Sequence, residues 1–130
     1  SEMCIRDRPI ATEYINKSVR KADINLIFGD ALEEVPKLEK GFDFVFMDAA
    51  KAQYINFLPP VLEVMNKGGI LIADNVLQEG DLVESKFTVT RRNRTIHKRI
   101  REFLYEVKNN EQLTTSVIPI GDGITLSVKH

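Results

Sequence analysis

The sequence predicts an α/β fold, mostly parallel, with an antiparallel strand pair at its C-terminal end. Three observations predict it. Phe42-Asp43-Phe44-Val45-Phe46-Met47 and Gly69-Ile70-Leu71-Ile72-Ala73-Asp74 are short apolar runs bounded by glycine and polar residues, the pattern of strands buried on both faces of a parallel sheet. Helical and strand-like segments alternate along the chain, as crossover connections require. Leu113–Ile120 and Ile124–Lys129 are two β-rich runs joined through Gly121-Asp122-Gly123, which reads as a hairpin.

Taken in order, residues 1–8 (Ser-Glu-Met-Cys-Ile-Arg-Asp-Arg) show no period and no cap. They resemble translated sequencing-adaptor read-through and are expected to be a non-native segment, against the alternative of a frayed native terminus. Pro9–Ala22 reads as a helix, with Pro9 at a first helical position and Ile10, Tyr14 and Ile15 on one stripe. Ile24–Phe28 reads as a strand, followed by Gly29-Asp30-Ala31 and a short helix ending near Pro36. Phe42–Met47 is the next strand. Tyr54–Asn66 is helical, with a bend or restart expected at Pro59-Pro60 because proline lacks the ladder donor. Lys67-Gly68-Gly69 turns into the strand 69–74. Residues 76–90 form a polar loop, read as a lid or as a plain surface connection. Arg91–Asn109 is the longest helix; Thr90 suits its N-cap, and Ile96, Ile100, Phe103, Leu104 and Val107 form its buried stripe.

The chain has 130 residues, enough for one domain with a core. Its hydrophobic content of 43%, charged content of 28% and net charge of -1 are those of an ordinary globular chain. Nothing global points to nucleic acid or to a membrane, and no apolar run approaches the ~20 residues that span a bilayer. The single cysteine, Cys4, excludes an internal disulfide and fits a reducing, cytoplasmic compartment.

The chemistry concentrates where the two apolar runs end. In open parallel sheets, ligands sit beyond the carboxyl ends of the strands, so neighbouring strands would deliver Asp48, Lys51, Asp74 and Asn75 to one rim. Two carboxylates and an amide oxygen suit a hard cation, Mg²⁺ or Ca²⁺, better than zinc. An ammonium beside a cation is disfavoured, so Lys51 could serve as a base. Each residue also has a plainer reading: an Asp at a strand end caps helices, and Asp74-Asn75 makes turns. Asp30 could bond the amino edge of a purine or cap the next helix. The run Arg91–Arg101 holds six formal positive charges and no acid. It opens a helix, where cations oppose the dipole. A phosphate partner would offset that cost; a solvated face or a subunit contact is the alternative.

Asp48-Ala49-Ala50-Lys51 with Tyr54, then Gly68-Gly69, Asp74-Asn75-Val76-Leu77 and Pro119-Ile120-Gly121-Asp122-Gly123-Ile124-Thr125-Leu126, resemble the cation-dependent O-methyltransferases of catechol and caffeoyl-CoA type, which use S-adenosylmethionine. The resemblance covers residues 9–130. Within that family, Asp-Ala-Ala-Lys-x-Gln-Tyr and the helix start Arg-Arg-Asn-Arg-Thr-Ile resemble the bacterial enzymes that methylate 5-hydroxyuridine in tRNA. The resemblance implies a Rossmann-like fold and a set of roles. Asp48, Asp74 and Asn75 would hold the divalent ion, Asp48 would also lie near the methionine end of the cofactor, and Asp30 and Ala31 would contact its adenine. Lys51 would take or steer the acceptor's proton as the acceptor oxygen attacks the sulfonium methyl in line. Arg91, Arg92 and Arg94 would meet RNA phosphates. The resemblance also suggests a homodimer.

The family's first strand, glycine-rich loop and second strand with its terminal acid do not occur here. Residues 9–130 are therefore expected to be the C-terminal part of an O-methyltransferase domain with its first two strands missing. Those strands lie centrally in the family's sheet, so the chain should leave strand edges unpaired and should bind cofactor poorly, if at all. Two other readings compete. A signalling receiver domain also carries an Asp at a strand end, but it wants a lysine where Asp74-Asn75 stands. An inactive fragment or dimerisation module would keep the fold without the activity. Among enzymes the alternative acceptor is a small catechol-like or acyl-CoA molecule.

Overall fold

The computed structural model describes the backbone of residues 2–77 and 91–130, and the side chains of residues 7–77 and 94–130. The chain divides into two compact units, residues 1–30 and 31–130.

The first unit is a helix followed by a non-regular segment. Helix α1 spans Glu2–Lys17 with Pro9 inside it, so Pro9 does not open the helix. Glu, Met and Arg before it have good helical propensity and extend it backwards. A 3₁₀ turn, Lys21–Asp23, follows. Ile24–Phe28 is not a strand, and all five residues are exposed. This corrects the expectation for 24–28. A strand exists only through its ladder, and among the described residues none pairs with this run. Phe28 instead takes the Arg8 guanidinium over its ring at 5.3 Å.

The second unit holds helix α2 (Ala31–Glu34), strand β1 (Phe42–Met47), helix α3 (Tyr54–Val64), strand β2 (Met65–Ala73), helix α4 (Arg91–Asn109) and strands β3 (Leu113–Ile118) and β4 (Ile124–Lys129). The sheet order is β1-β2-β4-β3. β1 and β2 are parallel, and β4 runs antiparallel to both β2 and β3. Three strands therefore point one way and one is reversed, as the hairpin reading requires. The α/β class and the C-terminal hairpin both hold.

β2 starts earlier than expected. Its register with β1 jumps from Phe42↔Met65 to Phe44↔Ile70, so Asn66–Gly69 bulge out of the ladder. Gly68 has φ 81°, and a Cβ on Gly69 would come within 2.8 Å of the Asn66 carbonyl oxygen. Glycines are required at both places. α3 passes through Pro59 and Pro60 as one helix. Its buried face, Tyr54, Phe57, Leu58, Val61 and Leu62, holds it against the sheet despite the missing donors.

Met47, Leu71 and Ala73 from the sheet meet that face of α3 and Ile100, Phe103 and Val107 of α4 in one core cluster. The predicted stripe of α4 is the one buried. Phe44 and Phe46 project to the other face of β1 and are 57% and 54% exposed. Among the described residues no helix is long and apolar enough to cross a membrane.

Candidate functional site

The site forms where β1 and β2 end together. Met47 and Ala73 are register partners, so Asp48 and Asp74 are the next residues on adjacent parallel strands. The Asp74 N–H donates to the Met47 carbonyl at 3.1 Å, carrying the ladder one step past the strands. Asp48 is exposed; Asp74, Asn75 and Lys51 are half-buried.

Asn75 has φ 57°. This left-handed conformation is one that asparagine tolerates better than most side chains. Its N–H donates to Asp74 Oδ1 at 2.7 Å, so the turn is stabilised by the carboxylate before it. The chain then leaves the strand under control: the Val76 N–H donates to the Gly123 carbonyl at 3.0 Å and the Leu77 N–H to that of Asp122 at 2.8 Å. Gly123 accepts this approach because it has no side chain; a Cβ there would lie 2.4 Å from Leu77. The hairpin loop thus pins the exit from the rim. The expected lid, residues 76–90, lies outside the described residues from position 78 onward.

Lys51 opens a 3₁₀ turn, Lys51–Gln53, that leads directly into α3. α4 packs against this turn as well as against α3, so the longest helix supports the candidate base. The structure therefore brings Asp48, Lys51, Asp74 and Asn75 to one end of the sheet.

Asp30 ends the first unit and Ala31 opens α2 in the second, both exposed. Arg91 and Arg92 lie in the first turn of α4, with side chains outside the described set. Arg94 is exposed on the same helix.

Among the described residues no three His, Cys, Asp or Glu side chains gather into a metal cluster. The rim offers two carboxylates and one amide oxygen instead. That all-oxygen set fits a hard divalent cation that completes its shell with water and acceptor oxygens.

One residue of the rim escaped the reading of roles. Tyr54 is fully buried. Its hydroxyl lies 3.0 Å from the Asp74 carbonyl oxygen and 3.3 Å from that of Met47, and it makes a backbone hydrogen bond with Ala49. Its phenol is pushed above the ordinary value of 10.0 by burial, opposed by the Ala49 hydrogen bond and reinforced by the charges of Asp48 and Asp74. The available signal was a buried tyrosine at a helix start, because a buried phenol needs a polar partner.

A mixed α/β sheet with acidic residues beyond the ends of adjacent parallel strands is the arrangement of the Rossmann-like class. The sequence model of the O-methyltransferase family matches residues 5–130, and the chain belongs to that family. It is 34% identical over 120 residues to a caffeoyl-CoA O-methyltransferase candidate of Arabidopsis thaliana, covering 90% of this chain and 52% of that one. A crystal structure of a caffeoyl-CoA O-methyltransferase candidate from Staphylococcus aureus superposes with a TM-score of 0.79 at 27% identity, over 100% of this chain and 61% of that one. An SAH-bound methyltransferase from Podospora anserina gives a TM-score of 0.75 at 21% identity, over 99% and 57%; that likeness speaks for the fold. The chain spans about half the length of the curated relatives it matches, 52% in the Arabidopsis case.

Proposed function

We propose that this chain carries the cation-binding and proton-accepting half of an S-adenosylmethionine-dependent O-methyltransferase. One observation carries the reading. Asp48 and Asp74 follow a register pair on adjacent parallel strands, with Asn75 and Lys51 beside them.

Asp48, Asp74 and Asn75 would hold a divalent cation, which supplies positive charge that acidifies an acceptor hydroxyl and fixes its direction. S-adenosylmethionine, when bound, would supply the methyl group as an electrophile on a sulfonium whose leaving group is a neutral thioether. Lys51 would take or steer the hydroxyl proton through its Nζ. By the family resemblance, Asp48 would serve the methionine part of the cofactor, and Asp30 and Ala31 would be the candidates for its adenine. No nucleophilic Ser or Cys is needed, because the acceptor oxygen bonds directly to the transferred carbon; positioning and charge supply the rate. The chain spans 52% of the length of its Arabidopsis relative, and the activity proposed here is that of a protein spanning the whole domain.

For the acceptor we favour 5-hydroxyuridine in tRNA, whose hydroxyl lies next to the C4 carbonyl and could chelate the ion as a catechol does. The basic start of α4, from Arg91 to Arg101, supports this by offering phosphate contacts. The names of the relatives favour a second reading, a small catechol or its acyl-CoA ester.

The test uses a protein spanning the whole domain. Chelation should abolish methyl transfer and Mg²⁺ should restore it, and Asp74→Asn should lower kcat/KM by about 100-fold or more. Replacing Arg91, Arg92 and Arg94 together by Ala should weaken transfer to 5-hydroxyuridine RNA by about tenfold or more while sparing a small catechol. Equal activity of that variant on RNA would leave the small acceptor. Full activity in chelator would end the cation reading.

A further inference from the structure

Tyr54 is the first residue of α3 and is 0% exposed. A phenylalanine there would fill the same core space without placing a hydroxyl in it, and burying a hydroxyl costs free energy unless it finds partners. Tyr54 finds them at one place, the ends of the two strands that carry the rim. Its single phenolic proton faces two carbonyl oxygens, Asp74 at 3.0 Å and Met47 at 3.3 Å, and Asp74 is the nearer. Its oxygen also meets the backbone of Ala49. Met47 and Ala49 are the residues on either side of Asp48. The phenol oxygen therefore brackets the backbone of one candidate ligand and bonds the carbonyl of the other.

The ring is fixed in turn. It packs edge-on against Phe103 of α4, with centroids 5.4 Å apart and planes at 67°. It also follows directly on the 3₁₀ turn that starts at Lys51. One side chain thus joins the turn bearing the candidate base, the end of β1 and the end of β2.

We propose that Tyr54 is a positioning residue for the cation site, its hydroxyl clamping together the two strand ends that carry Asp48 and Asp74. The proposal rests on the cation-site reading above. Tyr54 touches the backbone beside the ligands and acts through them. Removing its hydroxyl leaves the ring, the Phe103 contact and the core in place while freeing the two strand ends to shift relative to each other. Outer-shell hydrogen bonds of this kind are commonly worth about tenfold or more in metal affinity.

The test is Mn²⁺ titration of the 130-residue chain, followed by electron paramagnetic resonance. It compares the native chain with Asp48→Asn, Asp74→Asn and Tyr54→Phe, with far-UV circular dichroism as the check on folding. The native chain should bind, the two Asn variants should lose the site, and folded Tyr54→Phe should bind about tenfold or more weakly. Native-strength binding by folded Tyr54→Phe, with both Asn variants still deficient, overturns the clamp and leaves the cation site standing. Absence of native binding, or full binding by the Asn variants, removes the cation site and the clamp with it. If Tyr54→Phe does not fold, 3-fluorotyrosine labelling of the native chain decides by fluorine NMR. The chain has 3 tyrosines, and Tyr14 and Tyr105 are 72% and 71% exposed. Mg²⁺ should shift the Tyr54 line and leave the other two unmoved. A Tyr54 line that stays still as the ion binds overturns the proposal.

Discussion

Burial keeps the Tyr54 hydroxyl protonated to a higher pH than an exposed phenol, with the nearby carboxylates of Asp48 and Asp74 acting in the same direction and the Ala49 hydrogen bond against it. The folded chain therefore holds this proton more tightly than the unfolded chain does. Tyr54 contributes stability that is fully present below pH of about 10, the unfolded value, and that is lost as pH rises through its folded value. Urea unfolding between about pH 9 and about pH 11.5, in chelator, should show this alkaline decline, and Tyr54→Phe should flatten it. An identical decline in the variant would mean that other groups cause it. The same residue marks where reading a sequence stops. Asp48, Lys51, Asp74 and Asn75 could be assigned to one rim because each follows an apolar run, and that pattern is local. The partners of Tyr54 are carbonyls 7 and 20 residues away, and only the pairing of β1 with β2 brings them to one hydroxyl.

Among the elements, α3 and β4 are joined by a contact that no local pattern announces. Lys129 Nζ donates to the carbonyls of Leu62 at 2.6 Å and Met65 at 2.8 Å. Those groups lie at the C-terminal end of α3, where carbonyls lack helical partners and the dipole favours a cation. Lys129→Met keeps most of the aliphatic stem and removes the charge and the donors. It should cost about 1.5–3 kcal/mol, read from urea unfolding followed by circular dichroism; an unchanged unfolding free energy would mean the contact contributes nothing net. The elements that were legible, β1, α4 and β4, declare themselves by their own periodicity, but only α4 buries the face that periodicity marks: β1 leaves Phe44 and Phe46 exposed, and β4 buries Thr125 and Ser127 while Ile124, Leu126 and Val128 stay half-buried. Ile24–Phe28 has strand composition and forms no strand, because composition cannot supply a ladder partner. α1 overran its expected start for the opposite reason: helical hydrogen bonds are internal to the segment, so a helix needs no partner to extend.

At the scale of the whole molecule, β1 is an edge of the sheet, and two large aromatics on it, Phe44 and Phe46, are more than half exposed at 57% and 54%. An apolar edge strand is a template for another chain. Dilute solutions of the chain should scatter light increasingly with concentration. Phe44→Thr combined with Phe46→Thr should slow that growth severalfold while leaving the circular dichroism spectrum intact; unchanged growth would place the association elsewhere. The strand order also has a bearing on synthesis. β4 is later in the sequence than every other strand, yet it sits between β2 and β3. A ribosome releasing this chain from its N-terminal end exposes β3 before the strand that links it to the rest exists. β2 must wait with one side unmatched until residues 124–129 have emerged. Chaperone capture, if it occurs, belongs to that interval, and a stop codon placed just before Ile124 would divide the sheet rather than shorten it.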